Sequence, residues 1–393
     1  MSLETTSNPK VALFIVPSFS GGGAERCALE VLKNLDSTKY SRHLLPFQRQ
    51  GEYSDELHQD LVVSGPGRQG RIHAFLPRSI RKWVLSALEI AKVARRLQPD
   101  VVVTFLPEAG LPTSLVRWLR LAPPFLWVIS EQNATRRRVR ETNPSWWRRW
   151  IQDHWIGRAY RAADHVIAVS EGVKQGLIDD YALEAERLTV IFNPVDIQRV
   201  QTAADQAPPV EWSGKELVVA MGRLTRQKGF DVLLHAFSLI RTARPASLLI
   251  LGVGEERGCL EDMARNLEIT DNVHLVGFKS NPWSYLRSAD VFVLSSRWEG
   301  CPLVIGEAMA CETPVVATDC DYGPGELITN CSNGLLVPTE NPQALANAVL
   351  EVLSEPEKGE RLARAGLVRA KELDISVICV QYDRLICDLL GTD

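Results

Sequence analysis

The chain has 393 residues, 45% hydrophobic and 23% charged, with a formal net charge of −4. This is the composition of an ordinary soluble globular protein, and the length favours two domains. No apolar run approaches the ~18 residues of a membrane-spanning helix, and the polar start Met1–Lys10 lacks a signal-peptide core.

Eight cysteines contain no C-x-x-C pair, and seven histidines show no H-x-H or H-E-x-x-H spacing. Reduced thiols in a cytosolic setting are therefore expected, with neither a disulfide frame nor a protein-held metal nor another cofactor. The charge is uneven. Residues 1–195 carry 26 Lys and Arg against 20 Asp and Glu, whereas residues 196–393 carry 18 against 28. A basic first half suits an anionic surface.

Strand-like runs alternate with helical patterns from the start. Val11–Val16 leads into Ser20-Gly-Gly-Gly-Ala-Glu-Arg26. Three glycines let the backbone approach a ligand and aim N–H groups at it, so Gly22 and Gly23 are expected donor contacts. Glu25 and Arg26 open the next helix and are expected toward an acceptor. The alternative is a tight turn with no ligand, and the loop is not a G-x-G-x-x-G dinucleotide fingerprint. Further strands are expected at His43–Phe47, Val101–Phe105, Phe125–Ile129, His165–Val169 and Leu188–Ile191.

Residues 135–161 hold eight arginines against Glu141 and Asp153, with Trp146, Trp147, Trp150 and Trp155 among them. Tryptophan favours the membrane–water boundary, and arginine favours anionic headgroups. Trp146, Trp147, Arg148, Arg149 and Trp150 are the expected membrane contacts. The ordinary alternative is a core-packed helix with a basic outer face, since Trp150, Ile151 and Trp155 share a helical spacing. Nucleic acid is not an expected partner.

The polar stretch 201–215 reads as a linker. Beyond it, strands are expected at Leu217–Met221, Ser247–Leu251, Val273–Val276, Val291–Leu294, Pro314–Ala317 and Gly334–Val337. Repeated β–α alternation with β-branched strands implies an α/β fold: parallel sheets covered on both faces, in two Rossmann-like domains. The expected divisions are 1–200, 201–375 and a final helix, 376–393, placed against the first domain.

After the first strand of this half comes Met221-Gly-Arg-Leu-Thr-Arg-Gln-Lys-Gly-Phe230. Arg223 and Lys228 bracket a loop that leads into a helix, where two cations could neutralise a leaving diphosphate without a metal ion. Alone they would read as surface charges. Glu299 and Glu307, separated by seven residues, change that. Pro302 is expected as the first residue of a helix, with Glu299 before it and Glu307 within it. The free N–H groups of the helix start, near Leu303 and Val304, form an anion site between the two carboxylates. Sugar, diphosphate and ribose have that layout. The same strand–loop–helix–strand unit puts the loop at the carboxyl end of a strand, where α/β folds bind ligands.

Taken together, these segments resemble the retaining glycosyltransferases of the GT-B fold, family 4. The resemblance rests on Gly21–Arg26, Gly222–Gly229, Val276-Gly-Phe278, Glu299–Glu307 and Asp319–Glu326. It implies two sheets facing a central cleft, with the donor against the second domain. Glu299 would bind donor-sugar hydroxyls and Glu307 the ribose, while Arg223 and Lys228 hold the diphosphate with the N–H groups of Leu303 and Val304. Arg223, Lys228 and Glu299 would form the catalytic group, and Phe278 would border the base, uracil by resemblance. The loop Ser130-Glu-Gln-Asn133 stands where many relatives have a histidine, and it resembles a Ser-Glu-Arg-Asn branch. Glu131 and Asn133 are then expected contacts of acceptor or sugar, with a solvated loop as the alternative.

The expected function is transfer from a nucleotide-sugar, UDP-linked by resemblance, to a lipid-linked glycan at the cytoplasmic membrane face. The rivals are the same chemistry on a soluble acceptor, a 2-epimerase-type sugar-nucleotide isomerase, and a silent nucleotide-sugar-binding subunit.

Overall fold

The computed structural model describes residues 8–18, 22–48, 61, 78–142, 145–206 and 216–392. Ser20 and Gly21 of the glycine loop and residues 207–215 of the expected linker lie outside them. The start of that linker, Gln201–Ala204, is helical, because Asp196 caps a helix over Ile197–Ala204 by accepting from the Arg199 N–H at 2.9 Å.

In the first half the β-branched runs fold as strands β1 (Lys10–Val16), β2 (Tyr40–Pro46), β3 (Val101–Phe105), β4 (Leu126–Glu131), β5 (His165–Ala168) and β6 (Leu188–Val190). All pair in parallel in the order β2-β1-β3-β4-β5-β6. The helices are α1 (Gly23–Asn34), α2 (Arg78–Leu97), α3 (Pro107–Trp118), α4 (Thr135–Thr142), α5 (Trp146–Ala162) and α6 (Glu171–Tyr181). From β1 the chain steps one way to β2, then reverses through β3 to β6. Right-handed crossovers therefore put α1 on one face of the sheet and α2, α3, α5 and α6 on the other. Between sheet and helices lie Phe14 and Phe105, with ring centroids 5.5 Å apart, and the buried Trp127, whose Nε1–H donates to Thr104 Oγ1 at 3.0 Å.

The second half repeats the plan. Its strands are β7 (Glu216–Met221), β8 (Ala246–Leu251), β9 (Val273–Gly277), β10 (Val291–Leu294), β11 (Val315–Thr318) and β12 (Leu335–Val337). They form a second parallel sheet, ordered β12-β11-β10-β7-β8-β9. Helices α7 (Ile197–Ala204), α8 (Phe230–Ala243), α9 (Arg257–Asn266), α10 (Trp283–Arg287), α11 (Leu303–Ala310), α12 (Pro324–Leu327), α13 (Pro342–Ser354) and α14 (Pro356–Glu372) connect and cover it. Phe230, Leu233 and Phe237 of α8 pack with Val218, Ile250, Val293 and Val349 in its core. Each such side chain contributes about 1.5–3 kcal/mol when fully buried, so the sheet–helix seams, not surface ion pairs, hold this half together.

The chain divides into two units: 1–169 with 173–191 and 378–393, and 170–172 with 192–377. The first division falls at Ile191/Phe192, ahead of the expected 200/201, because the segment leading into α7 belongs with the second sheet. Val195 shows why: its N–H donates to the Leu373 carbonyl at 2.8 Å. Most of the last helix, α15 (Ile375–Leu390), groups with the first unit. There Asp383 accepts from Lys39 Nζ and the Tyr40 hydroxyl, each at 2.8 Å. Among the described residues no helix is long and apolar enough to cross a membrane.

Candidate functional site

In the second sheet the chain leaves β7 toward β8 and β9, then returns to the other side of β7 as β10. Neighbouring strands thus send their connections apart at β7 and β10, and the crevice outside their carboxyl ends is where such sheets bind ligands. The loop after β7 carries Arg223 and Lys228, and the loop after β10 carries Glu299.

These two loops are stitched together. Ser295 Oγ donates to the Lys228 carbonyl at 2.8 Å, the Arg297 N–H to the Gln227 carbonyl at 2.8 Å, and Gln227 Nε2 to the Trp298 carbonyl at 2.8 Å. Arg297 forks onto Asp231 at 2.8 and 2.7 Å and also pairs with Glu340. Those partners hold its guanidinium charged and raise its pKa, the Asp231 hydrogen bond being the largest cause. Gly229 makes the approach possible. Its φ of +61° is left-handed, and a Cβ there would come within 2.1 Å of the Ser295 carbonyl oxygen.

The stitching delivers one direct pair. Lys228 Nζ lies 2.5 Å from Glu299 Oε1, with side-chain exposures of only 14% and 8%. Ser296 Oγ donates to the same oxygen at 2.6 Å. Desolvating two charges is offset only by close geometry and further hydrogen bonds, which Ser296 supplies. Arg223, by contrast, is exposed and makes no ion pair among the described residues.

Pro302 proves to be the cap of α11, not its first residue, because its ψ of 105° is extended. Leu303 and Val304 therefore fill the first turn, where helical geometry leaves their N–H groups without an intrahelical acceptor. Glu307 is buried one turn further on, and its Oε1 accepts from the Trp283 indole N–H at 2.9 Å. The guanidinium of Arg199 lies over the Trp283 ring, 5.3 Å from its centroid. Phe278 follows β9 directly and is 36% exposed. On the other side of Glu299, its backbone N–H donates to the Asp321 carbonyl at 3.3 Å, tying in the loop after β11. Cys301, buried beside this loop, has its thiol pushed up to about 12 by burial, which makes it an inert packing group.

Ser296, Arg297 and Trp283 were not singled out in the sequence. Ser296 and Arg297 sit in the right loop. The Arg297 partners Asp231 and Glu340 are far away in sequence, and Trp283 has no local pattern linking it to Glu307.

In the first unit, the Glu25 carboxylate is folded back over Gly22. A Cβ at residue 22 would come within 2.2 Å of Glu25 Oε2, and Ser18 Oγ reaches Oε1 at 3.3 Å. Gly23 begins α1 and Arg26 is half-buried. Asn133 uses its Oδ1 to accept from the Ala134 N–H at 2.8 Å.

Glu131 departs from expectation. It is fully buried, with Oε1 accepting from the N–H groups of Gln132 and Asn133 at 3.1 Å each and Oε2 from the Tyr160 hydroxyl. It therefore braces the turn after β4 instead of offering itself to an acceptor. Burial raises its pKa, against the opposing hydrogen bonds of Thr135 and Tyr160. The core-packing alternative for the tryptophan segment is also overturned. Trp150, Ile151 and Trp155 are 65%, 41% and 48% exposed, while Ile156, Ala159 and Tyr160 face inward. Trp146, Trp147 and Arg148 are exposed as well, and Arg149 is half-buried.

Among the described residues no three His, Cys, Asp or Glu side chains gather as a metal ion would need. What the second unit offers is a cationic and N–H-rich loop pair flanked by two carboxylates, suited to a diphosphate with hydroxyls at both ends.

Two family models match in succession: Glycosyltransferase Family 4 over residues 21–199 and Glycosyl transferases group 1 over residues 203–369. A Campylobacter jejuni relative, the N-acetylgalactosamine-N,N'-diacetylbacillosaminyl-diphospho-undecaprenol 4-alpha-N-acetylgalactosaminyltransferase, is 25% identical, with 93% of this chain and 96% of the relative covered. The lipopolysaccharide core glycosyltransferase LpsE of Rhizobium meliloti is 28% identical over 72% of this chain and 74% of its own. Among solved structures, Anabaena HepE with UDP and glucose superposes with a TM-score of 0.79 at 21% identity, covering 96% of this chain and all of that one (100%). Sucrose-phosphate synthase of Thermosynechococcus elongatus also reaches 0.79 at 21% identity, covering 97% and 99%. With paired Rossmann-like sheets and both family models in register, this chain belongs to the GT-B glycosyltransferases of family 4, group 1.

Proposed function

We propose that the protein moves a sugar, with retention, from a UDP-sugar to a lipid-linked glycan at the cytoplasmic membrane face. The observation that carries the donor half is the meeting of Lys228 with Glu299 at the β7/β10 switch point, just ahead of α11, which carries Glu307. In this reading Glu299 takes the sugar hydroxyls, Glu307 the ribose, and Arg223, Lys228 and the first N–H groups of α11 the diphosphate. Phe278 borders the base. In the first unit, Gly22 and Gly23 line the donor, and Glu25, Arg26 and Asn133 face the acceptor.

The bond between the anomeric carbon and the diphosphate oxygen breaks, and the acceptor oxygen bonds to that carbon on the same face. The acceptor proton passes to the departing diphosphate. Positive charge from Arg223, Lys228 and the α11 start stabilises that leaving group, so no divalent ion is required. The UDP held by HepE supports the choice of donor base, and the diphospho-undecaprenol in the Campylobacter enzyme's name supports a lipid-linked acceptor. Exposed Trp146, Trp147 and Trp150 beside Arg148 and Arg149 support attachment at the membrane surface.

The soluble-acceptor reading draws on another relative, the mannosylfructose-phosphate synthase of Agrobacterium fabrum, 26% identical over 94% of this chain and 89% of its own. Thermal stabilisation by a panel of UDP-, GDP- and ADP-sugars, with and without EDTA, tests the donor. One UDP-sugar should raise Tm selectively and unaffected by EDTA, and a flat response to all of them sinks the reading. Proton NMR of product formed on a polyprenyl-diphosphate glycan then reads the anomeric configuration.

A further inference from the structure

The first unit carries more exposed aromatic surface than the tryptophan segment alone. Trp118 is 75% exposed and Leu119 48%, at the end of α3, and Leu88 on α2 is 49% exposed. None belongs to the 146–150 patch. Yet α2 packs against α3, and α3 packs against α5. Right-handed crossovers place all three helices in one layer on the same side of the sheet. Side chains of that layer that do not face the sheet face outward together.

On α5 the outward stripe is Trp147, Ile151, Trp155 and Arg158, spaced by four, four and three residues, with Trp150 and His154 beside it. The inward stripe is Ile156, Ala159 and Tyr160. A helix apolar on both faces is normally covered on both. The rings are already set among cations: Arg148 lies over Trp147 at 5.1 Å and Arg158 over Trp155 at 5.7 Å, while Trp150 stacks on His154 at 5.5 Å.

Charge decides what covers the layer. Helices α2, α3 and α5 contain eleven Lys and Arg against three acids, Glu89, Glu108 and Asp153. Glu108 is taken by Arg138 at 2.8 Å, and Asp153 is half-buried. Lys82, Lys92, Arg95, Arg96, Arg120 and Arg158 are exposed. Aromatic rings with arginines among them, spread over a helical layer about 25 Å long at 1.5 Å per residue, match a planar anionic lipid surface, where rings enter the headgroup boundary and guanidinium groups meet phosphates.

We propose that the outer face of the α2–α3–α5 layer is one docking surface for an anionic phospholipid bilayer, with Trp118 and Leu119 as a second anchor beside α5. It deepens, and rests on, the proposed transfer to a membrane-linked acceptor.

The test is flotation of the full chain with vesicles of phosphatidylcholine, with and without about one-third phosphatidylglycerol. Wild type should float only with the anionic vesicles, less so at high salt. Trp118→Ala with Leu119→Ala, and separately Ile151→Ser with Trp155→Ala, should each cut the bound fraction roughly tenfold or more. Both variants should keep the wild-type Tm and its shift with the UDP-sugar, which separates docking from donor binding. Equal flotation with neutral vesicles overturns the proposal, and so does anionic binding that the α3 variant leaves unchanged. A second copy of the chain as occupant would show as a dimer dissociated by the α3 variant, and would overturn it too. If vesicle binding behaves as expected while no sugar nucleotide shifts Tm, the docking surface stands and the transferase reading falls.

Discussion

The two units share a plan and differ in what they place at the corresponding point. Each is a six-stranded parallel sheet whose chain reverses beside its first strand, at β1/β3 in one and β7/β10 in the other. At β7/β10 the loops bring a lysine and a glutamate within 2.5 Å, both almost shielded from water, with a helix start beside them. In the first unit the notable carboxylate, Glu131, ends β4 instead, and it is fully enclosed by two backbone N–H groups and Tyr160. Fold fixes where a ligand can enter. Whether a carboxylate serves the ligand or the scaffold depends on which neighbours have already taken its oxygens.

The comparison breaks most sharply at Lys228. Lys228→Ala should lower kcat/KM about 10²–10³-fold, the scale of losing one pre-set charge at a developing oxyanion. Steady-state transfer to the glycan acceptor measures it, with Tm as the folding control. Activity within threefold of wild type would move the reaction centre away from this loop pair. Glu307→Ala comes next. It should weaken UDP-sugar binding by about 10- to 100-fold by calorimetry, the worth of charge-assisted hydrogen bonds, with a smaller change in kcat. Arg223→Ala should show the opposite split, slowing kcat more than it weakens binding.

The smallest effect sharpens the other side. Glu131→Gln should leave the UDP-sugar-induced Tm shift within twofold of wild type. The Glu131 carboxyl pKa is raised by burial, so its contribution to stability is fully present below the ordinary carboxylate range near 4 and is lost as pH rises through the raised value. Wild type should therefore lose stability relative to Glu131→Gln between acid and neutral pH, read by urea denaturation. A flat difference across that range would mean that Glu131 is not the enclosed group described.

The strands were legible because buried parallel sheets need unbroken β-branched runs, and Val101–Phe105 or Val291–Leu294 have no other easy use. Glu299 and Glu307 were legible because one loop and one helix carry both. The Lys228–Glu299 bond was not, since 71 residues separate its partners and only strand order makes them neighbours. Glu131 misled for a related reason. Ser-Glu-Gln-Asn reads as a polar loop until Tyr160, 29 residues later, closes over it. For Trp150, Ile151 and Trp155 the sequence left a core-packed alternative standing beside the exposed reading, because helical spacing says that residues share a face and not which way that face looks, and their exposure removes that alternative.

The bond between Lys228 and Glu299 has one further consequence on the proposed reading. An anion that draws Lys228 away leaves Glu299 needing new donors in a nearly dry place. A nucleotide-sugar brings both halves of the exchange, phosphate for the amine and hydroxyls for the carboxylate. Bare pyrophosphate brings only one, and so does the spent nucleoside diphosphate once its sugar has gone. On that reading the ion pair would act as a two-key lock that opens for the intact donor and re-forms once the product has left.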